Sequence, residues 1–272
     1  MNLLLLLSTA FAETTPIGQI TTTLTYNRIA VSAKGQYGAH IPMFEKEDNA
    51  LFTNTGLDVV GEFSATPAFT RGGIRATFMP VAVFKLQAYA LGGYYFGNWQ
   101  TIVGYDDLSD NYGTNTEIGD YAEATGRQYA GIGWTTGGSA TLQAKVGNIV
   151  FSNTTGFSSW NVATPEGETG VGFFEREQEV MMSFGQDSLL DNNTLLLYQV
   201  DQDTDQFLRI GNLTTYRHSL NADDTMFRSG LLFVAQRSPT RSHIVIAQSY
   251  ITDRTFTSPV QPYIAYAYKY TL

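Results

Sequence analysis

The last twelve residues, Gln261-Pro262-Tyr263-Ile264-Ala265-Tyr266-Ala267-Tyr268-Lys269-Tyr270-Thr271-Leu272, alternate between two kinds of side chain. One face carries large apolar or aromatic side chains, namely Ile264, Tyr266, Tyr268, Tyr270 and Leu272. The other face carries small or polar side chains. A period of two predicts a β-strand, and an exposed strand with such an apolar face would promote aggregation in water. The pattern therefore predicts a strand whose aromatic face meets lipid.

The same two-residue period recurs along the chain, and helical periodicity is nowhere sustained. In the run from Ile20, Ile20 and Leu24 share one face and Thr21 and Thr23 share the other. Charged and polar side chains collect on one face of several later runs. In a membrane barrel that face points to the interior. The side chains predicted to line the lumen are Asp58, Glu62, Lys85, Gln87, Tyr89, Lys145 and Arg228.

The strand count points to about twelve strands, within a range of 10–14. Eleven runs are visible, but single-chain bacterial barrels have even strand numbers. The stretch 57–79 exceeds the roughly 9–11 residues of one tilted membrane strand, so Pro67 or Arg71-Gly72-Gly73 is expected to divide it. The predicted fold is an all-β, transmembrane, antiparallel up-and-down β-barrel. Tight turns are expected at Gly137-Gly138-Ser139 and Ser238-Pro239-Thr240, and a strand is expected near 171–184.

The composition indicates that part of the protein surface does not face water. Only 15% of the residues are charged, while the chain has 26 Gly, 16 Tyr and 17 Phe. The formal net charge of −9 argues against a nucleic-acid partner, because phosphate neutralisation needs clustered Lys and Arg. The chain has no cysteine, so disulfides and thiolate metal sites are excluded.

The N-terminus carries the features of a secretory signal. Five leucines, Leu3 to Leu7, precede an Ala-x-Ala exit at Ala10-Phe11-Ala12, which predicts a signal peptide at 1–12 and a single barrel domain at 13–272. No later stretch approaches the 18 apolar residues of a membrane helix. A membrane location would therefore require a closed barrel, because lipid offers no partner to an open sheet edge.

The final strand resembles the C-terminal assembly signal of Gram-negative outer-membrane barrel proteins, in which alternating hydrophobic residues end in an aromatic. Leu272 stands where Phe is usual. The resemblance indicates a class of protein rather than a specific family. It implies a location in the bacterial outer membrane and contact with outer-membrane lipids and lipopolysaccharide. It also implies recognition of this strand by the barrel-assembly machinery.

Known catalytic patterns of outer-membrane enzymes are missing. Lipid hydrolases of the phospholipase and lipid A deacylase types resemble one another in a His-x-Ser pair, which neither His218 nor His243 makes. Omptin-type proteases resemble one another in an Asp-x-His element, which does not occur. The segment from Asp201 begins like a calcium loop but has Gln206 where glycine is required. No catalytic residue, metal site or cofactor is predicted.

The acidic residues Glu175, Glu177 and Glu179 fit either a lumen ladder or a strand extension above the membrane. The extension is favoured, because Arg176 and Gln178 would otherwise face lipid. About twelve strands should leave a narrow or plugged lumen. The leading hypothesis is a narrow channel for passive or substrate-selective diffusion of small solutes. The alternative is a structural or surface-binding barrel acting through its loops, and a membrane lipid hydrolase or protease is a weaker third hypothesis.

Overall fold

The computed structural model describes residues 14–26, 30–46, 48–200, 206–251 and 262–272. The expected signal peptide and the residues 201–205 of the calcium-like segment lie outside the described residues. Within the described residues, no helix is long and apolar enough to cross a membrane.

Twelve of the fifteen described strands form one closed antiparallel barrel. Each strand pairs with its neighbours along the chain, and the last strand pairs with the first. The predicted fold class and its strand number are confirmed. The barrel strands are β1 (Thr15–Tyr26), β2 (Ala30–Pro42), β3 (Gly56–Ala65), β4 (Phe69–Val81), β5 (Phe84–Phe96), β7 (Ala130–Val146), β8 (Ile149–Val162), β11 (Asp187–Gln199), β12 (Phe207–Ser219), β13 (Asp224–Ser238), β14 (Arg241–Tyr250) and β15 (Tyr263–Thr271).

The C-terminal strand closes the barrel. β15 lies between β14 and β1, and its register places Tyr270 beside Ile20 and Tyr266 beside Leu24. The backbone N–H of Leu272 donates to the carbonyl oxygen of Gly18 at 2.8 Å, so pairing continues to the final residue. Closure gives hydrogen-bond partners to the backbone groups at the edges of both the first and the last strand.

The outer wall is apolar because alternate side chains of each strand point away from the lumen. Leu24, Phe63 and Ile132 are each more than half exposed, although they belong to regular strands. Their inward neighbours are hydroxylated, charged or glycine residues. This arrangement is the reverse of a water-soluble barrel and is the one that a barrel in lipid requires.

The two ends of the barrel differ. At one end, termed the turn end, strands are joined by the two-residue turns 82–83, 147–148 and 239–240 and by the longer segment 43–55. The opposite end, the cap end, carries the two longest described connections, 97–129 and 163–186. The predicted turn at Ser238-Pro239-Thr240 and the predicted break at Pro67 are confirmed. The predicted turn at Gly137-Gly138-Ser139 is wrong, because these residues lie inside β7.

The two long connections fold together into a small domain, termed the cap. It contains β6 (Val103–Tyr105), β9 (Gly172–Glu175) and β10 (Val180–Ser183) in one sheet, and the helix α1 (Asn115–Thr125). Thr114 and Glu117 form a capping box at the start of α1, and Gly126 ends it in the left-handed conformation. The single strand expected at 171–184 is therefore the hairpin β9–β10 of the cap.

Candidate functional site

The cap sits inside the barrel mouth. Its side chains Phe173, Phe174, Met181 and Met182 are almost completely buried. They belong to one apolar cluster with inward-facing wall residues, which include Phe69, Tyr95, Trp160, Met226 and Tyr250. Since cap and wall share a core, the cap is a plug held by hydrophobic burial.

Buried carboxylates also join the cap to the wall. Glu179 of the cap accepts hydrogen bonds from Arg228 Nη1 and from the Tyr250 hydroxyl, each at 2.6 Å. In the opposite sense, Asp224 of the wall accepts from the Tyr112 hydroxyl at 2.9 Å and from the backbone N–H of Met181 at 2.6 Å. A buried carboxylate is tolerated only when it is paired and hydrogen-bonded in this way. The contacts therefore fix the position of the cap.

The acidic residues Glu175, Glu177 and Glu179 do not extend a strand above the membrane. They lie on the hairpin β9–β10 and reach wall residues. Glu175 accepts from the Tyr95 hydroxyl at 3.3 Å, and Glu177 accepts from Arg71 Nη1 at 2.8 Å. The favoured interpretation is thus wrong, because cationic and phenolic partners from distant strands draw the hairpin into the mouth.

Two cavities run beside and beneath the cap. The mouth cavity, of about 360 Å³, lies at the rim against β1, β2 and β15, and its lining includes Trp99, Arg217 and Tyr263. The lumen cavity, of about 380 Å³, lies deeper and its lining includes Lys34 and Gln87. Five residues line both cavities, namely Thr23, Ser32, Thr66, Phe69 and Glu177. The shared lining places the two cavities next to each other, on either side of these five side chains.

An ion pair marks the neck where the cavities meet. Arg71 Nη1 lies 2.8 Å from Glu177 Oε2, and the Glu177 side chain is 45% exposed. The Arg71 guanidinium also lies 5.0 Å from the ring centres of Phe69 and Trp160. Stacking on two aromatic faces holds the guanidinium in place. The neck therefore presents one fixed positive charge and one accessible negative charge to any solute that passes.

The wall of the lumen cavity is charged but balanced. Glu62 accepts from Arg75 Nε at 2.7 Å and from Gln36 Nε2 at 2.6 Å, and its other oxygen lies 2.7 Å from Lys34 Nζ. Three cationic side chains and three carboxylates line the cavity: Lys34, Arg71, Arg75, Glu62, Glu177 and Asp191. Such a lining does not favour one sign of charge. Hydroxyl groups and the faces of Phe69, Tyr89 and Trp160 supply the rest of the surface.

The residues predicted to line the lumen fall into three groups. Glu62, Gln87 and Tyr89 line the lumen cavity, and Arg228 lines the mouth cavity. Asp58 and Lys85 lie nearer the turn end, where Asp58 Oδ1 is 2.6 Å from His40 Nδ1. Lys145 is exposed beside the turn 147–148, away from both cavities. Ile264, Tyr266, Tyr268 and Tyr270 alternate along β15 on its outward face.

Sequence reasoning missed the residues of the neck. Arg71 and Arg75 share the inward face of β4, but Gly72-Gly73 was taken for a bend and hid their four-residue spacing. Glu177 belongs to the acidic group that the sequence singled out, but its contact with Arg217 had no local signal, because the cap brings the two residues together from distant segments. The spacing of Arg71 and Arg75 was the one usable clue.

Each of the three histidines makes a hydrogen bond with a side chain of a neighbouring strand. His40 Nδ1 pairs with Asp58, His218 Nδ1 lies 2.9 Å from Thr225 Oγ1, and His243 Nδ1 lies 2.8 Å from the Tyr266 hydroxyl. Across the described part of the chain, no three His, Asp or Glu side chains are grouped so that they could hold a metal ion.

A second ion pair ties the two long connections of the cap to each other. Arg127, which follows α1, donates from Nε to Glu168 Oε1 at 3.1 Å, and the Glu168 side chain is fully buried. Burial opposes ionisation of Glu168, but the Arg127 guanidinium and the Gly170 N–H hold its pKa below the usual range. Glu168 therefore stabilises the cap while it is ionised.

The cap is expected to loosen in acid. Because the folded-state pKa of Glu168 is lowered, its stabilisation is present above the unfolded value of about 4.5 and is lost as pH falls through the folded value. Hydrogen exchange of the cap amides, corrected for intrinsic rates, should speed up below about pH 4 while the barrel amides stay protected. Glu168→Gln should reduce this pH dependence. An unchanged acid response in that variant would contradict the assignment.

Comparisons with known proteins find only distant structural likenesses. No family model matches the chain, and no curated protein matches it. The β-domain of the Bordetella autotransporter BrkA matches 95% of this chain and 99% of its own, at 8% identity and a TM-score of 0.46. The NanC porin matches 93% and 98%, at 7% identity and 0.44. LpxR from Salmonella typhimurium matches 93% and 99%, at 7% identity and 0.47. Likenesses this distant carry no argument about activity.

Proposed function

We propose that this barrel lies in a bacterial outer membrane and conducts small polar solutes along the path beside its cap. The observation that carries the proposal is the shared lining of the mouth cavity and the lumen cavity, which places the two cavities next to each other beside the plug. The apolar outer wall supports the membrane location. In this location β15 is the segment that the barrel-assembly machinery would recognise.

The lining favours small solutes that are neutral or carry both signs of charge. Charges in the lumen cavity balance, and hydroxyl groups of Thr and Ser surround them. Each cavity has a volume in the range of small-molecule sites. Folded peptides and large polymers would not fit.

Removing either charge at the neck should give opposite ion preferences. Arg71→Gln removes the positive charge that pairs with Glu177 and should favour cations, while Glu177→Gln removes the negative charge that pairs with Arg71 and should favour anions. A unit charge at about 4 Å is worth about 1 kcal/mol in water, so the permeability ratio should change about fivefold in each direction. The measurement is the reversal potential of single channels in planar bilayers under a salt gradient.

A matched control is available at the turn end. Lys145→Gln removes an exposed charge that lies away from both cavities and should leave the reversal potential unchanged. Variants are first checked for heat-modifiable migration, which reports a folded barrel. Folded wild-type protein that gives no conductance steps at any voltage would overturn the channel and leave a structural or surface-binding barrel. Equal reversal potentials in the two neck variants would remove the neck from the path.

A further inference from the structure

The outer wall contains a polar interruption that a barrel surrounded only by lipid does not need. Outward side chains of four adjacent strands, β8, β11, β12 and β13, include a contiguous group of amides and hydroxyls. The register places Asn153 beside Thr194, Thr194 beside Thr214, and Thr214 beside Ser229. We call this group the polar band, and its members are Asn153, Thr155, Asn192, Thr194, Asn212, Thr214 and Ser229.

The polar band lies within the apolar wall rather than at its edge. On β11 the outward neighbours along the strand are Leu190 on one side and Leu196 on the other. On β8 and β13 the band is likewise followed by outward phenylalanine, Phe157 and Phe227. Each member is therefore bracketed along its own strand by side chains that suit lipid. The band cannot be attributed to the headgroup region at either end.

The opposite side of the barrel has no comparable group among its described residues. Outward positions of β3 are Leu57, Val59, Gly61, Phe63 and Ala65, and those of β5 are aromatic, aliphatic or glycine. On β1, Thr22 stands alone between Ile20 and Leu24. The polar residues thus collect on one face of the barrel, which is the distribution expected of a contact surface.

Hydrogen bonds within the band reduce its cost in lipid and use most of its donors, while its acceptor oxygens can take further bonds. Asn153 Nδ2 donates to Thr194 Oγ1 at 2.7 Å, and Asn192 Nδ2 donates to Thr155 Oγ1 at 2.8 Å. Neighbouring strands repeat the pattern with Asn212 and Ser229 at 3.2 Å. Carbonyl and hydroxyl oxygens can accept further bonds. Lipid tails offer no hydrogen-bond donors to these oxygens, whereas polar side chains of a protein do.

The surface next to the band permits close approach. On β7 the outward residues Gly138 and Ala140 form a shallow groove with Thr155 and Ser159 of β8. Phe157, which is 51% exposed, stands at the border of this groove. Small residues beside a polar group are the features that let membrane-embedded proteins pack against each other.

We propose that the polar band and this groove form a two-fold interface with a second copy of the same chain in the membrane. A second copy is held at the same depth by the same bilayer, so its polar band meets this one without further adjustment. Amides and hydroxyls are self-complementary, because each supplies a donor and an acceptor. A two-fold axis near Thr194 sets β8 of each copy against β12 of the other, and the small residues of the groove let the partner's β13 approach. The inference rests on the membrane location proposed above but not on conduction.

Single cysteines test the interface directly, because the chain contains none of its own. Thr194→Cys lies at the centre of the band, and Thr22→Cys is a matched outward threonine on the far side of the barrel. Each folded variant is reconstituted into phosphatidylcholine vesicles at a high lipid-to-protein ratio and oxidised. We expect a disulfide dimer from T194C and monomer from T22C. A folded, inserted T194C protein that stays monomeric, or equal dimer from both variants, would overturn the pairing.

A second variant distinguishes a specific interface from chance collisions between copies of the barrel. Asn192→Leu and Thr214→Leu together replace band residues with side chains that lipid solvates, and should abolish the T194C dimer while the barrel still folds and inserts. Persistence of the dimer would count against the band. When T194C is oxidised in cell envelopes instead of vesicles, a product that contains only a different protein would replace the second copy by another partner. Failure of the wild type to insert into vesicles would instead contradict the membrane location.

Discussion

Replacing residues 99–127 and 165–183 with short glycine-serine linkers is expected to raise the single-channel conductance by at least about threefold, given the width of a twelve-stranded barrel. These residues hold the cap, whose buried apolar core fills the mouth. With the cap in place, ions are confined to the mouth cavity of about 360 Å³. Without the cap, the inner wall of the barrel sets the cross-section of the conducting path. The measurement is the step size in planar bilayers.

Shortening the segment 43–55 gives the matched control. It is a long connection at the turn end and carries a 3₁₀ turn, Ala50–Phe52. It lines neither cavity, so its removal should leave the step size unchanged. Larger conductance steps from this deletion would show that the constriction lies at the turn end. Unchanged steps from the cap deletion would show that the cap is not what limits the current.

The barrel could be predicted from the sequence because a wall between lipid and lumen imposes a local rule. Each strand must alternate, and the alternation is visible within a few residues, as in Ile20 to Tyr26 or Phe84 to Phe96. The same rule placed Glu62, Gln87 and Tyr89 on the inner face, where they line the lumen cavity. Local pattern is sufficient where the environment on each side of a strand is uniform.

Glycine pairs misled the turn prediction for a physical reason. In soluble sheets a Gly pair indicates a bend, yet Gly73 and Gly138 lie in the middle of barrel strands. A Cβ added to Gly73 would come within 2.0 Å of the carbonyl oxygen of Ala90 on the next strand. Glycine is required there by close approach between neighbouring strands rather than by a turn.

The cap could not be predicted, because its contacts join residues far apart in the chain. Arg71 and Glu177 are separated by 106 residues, and Arg228 and Glu179 by 49. Nothing in the local pattern of 171–184 distinguishes a wall strand from a hairpin folded into the mouth. The site could not be predicted because it forms through long-range pairing, whereas the barrel wall could be predicted from its local periodicity.

Glu179→Gln is expected to destabilise the cap by about 3–5 kcal/mol, the usual cost of breaking a buried ion pair from one side. Glu179 is fully buried between Arg228 and Tyr250, and Gln keeps its shape while removing its charge. The Arg228 guanidinium, whose Nε has no hydrogen-bond partner, would then keep a buried charge without its counterion. Protection of the Met181 and Phe173 amides against hydrogen exchange should fall by about 200- to 5,000-fold.

Restoring charge balance should rescue the cap. In Glu179→Gln with Arg228→Gln the buried charge is gone from both sides, and two amides can bond each other, so most of the lost protection should return. Glu45→Gln, an exposed carboxylate at the turn end, should leave exchange unchanged. The β7 and β8 amides should keep their protection in every variant, because they belong to the closed wall. If the double variant exchanges as fast as Glu179→Gln alone, the pair does not act as a unit and the cap is held by its apolar core.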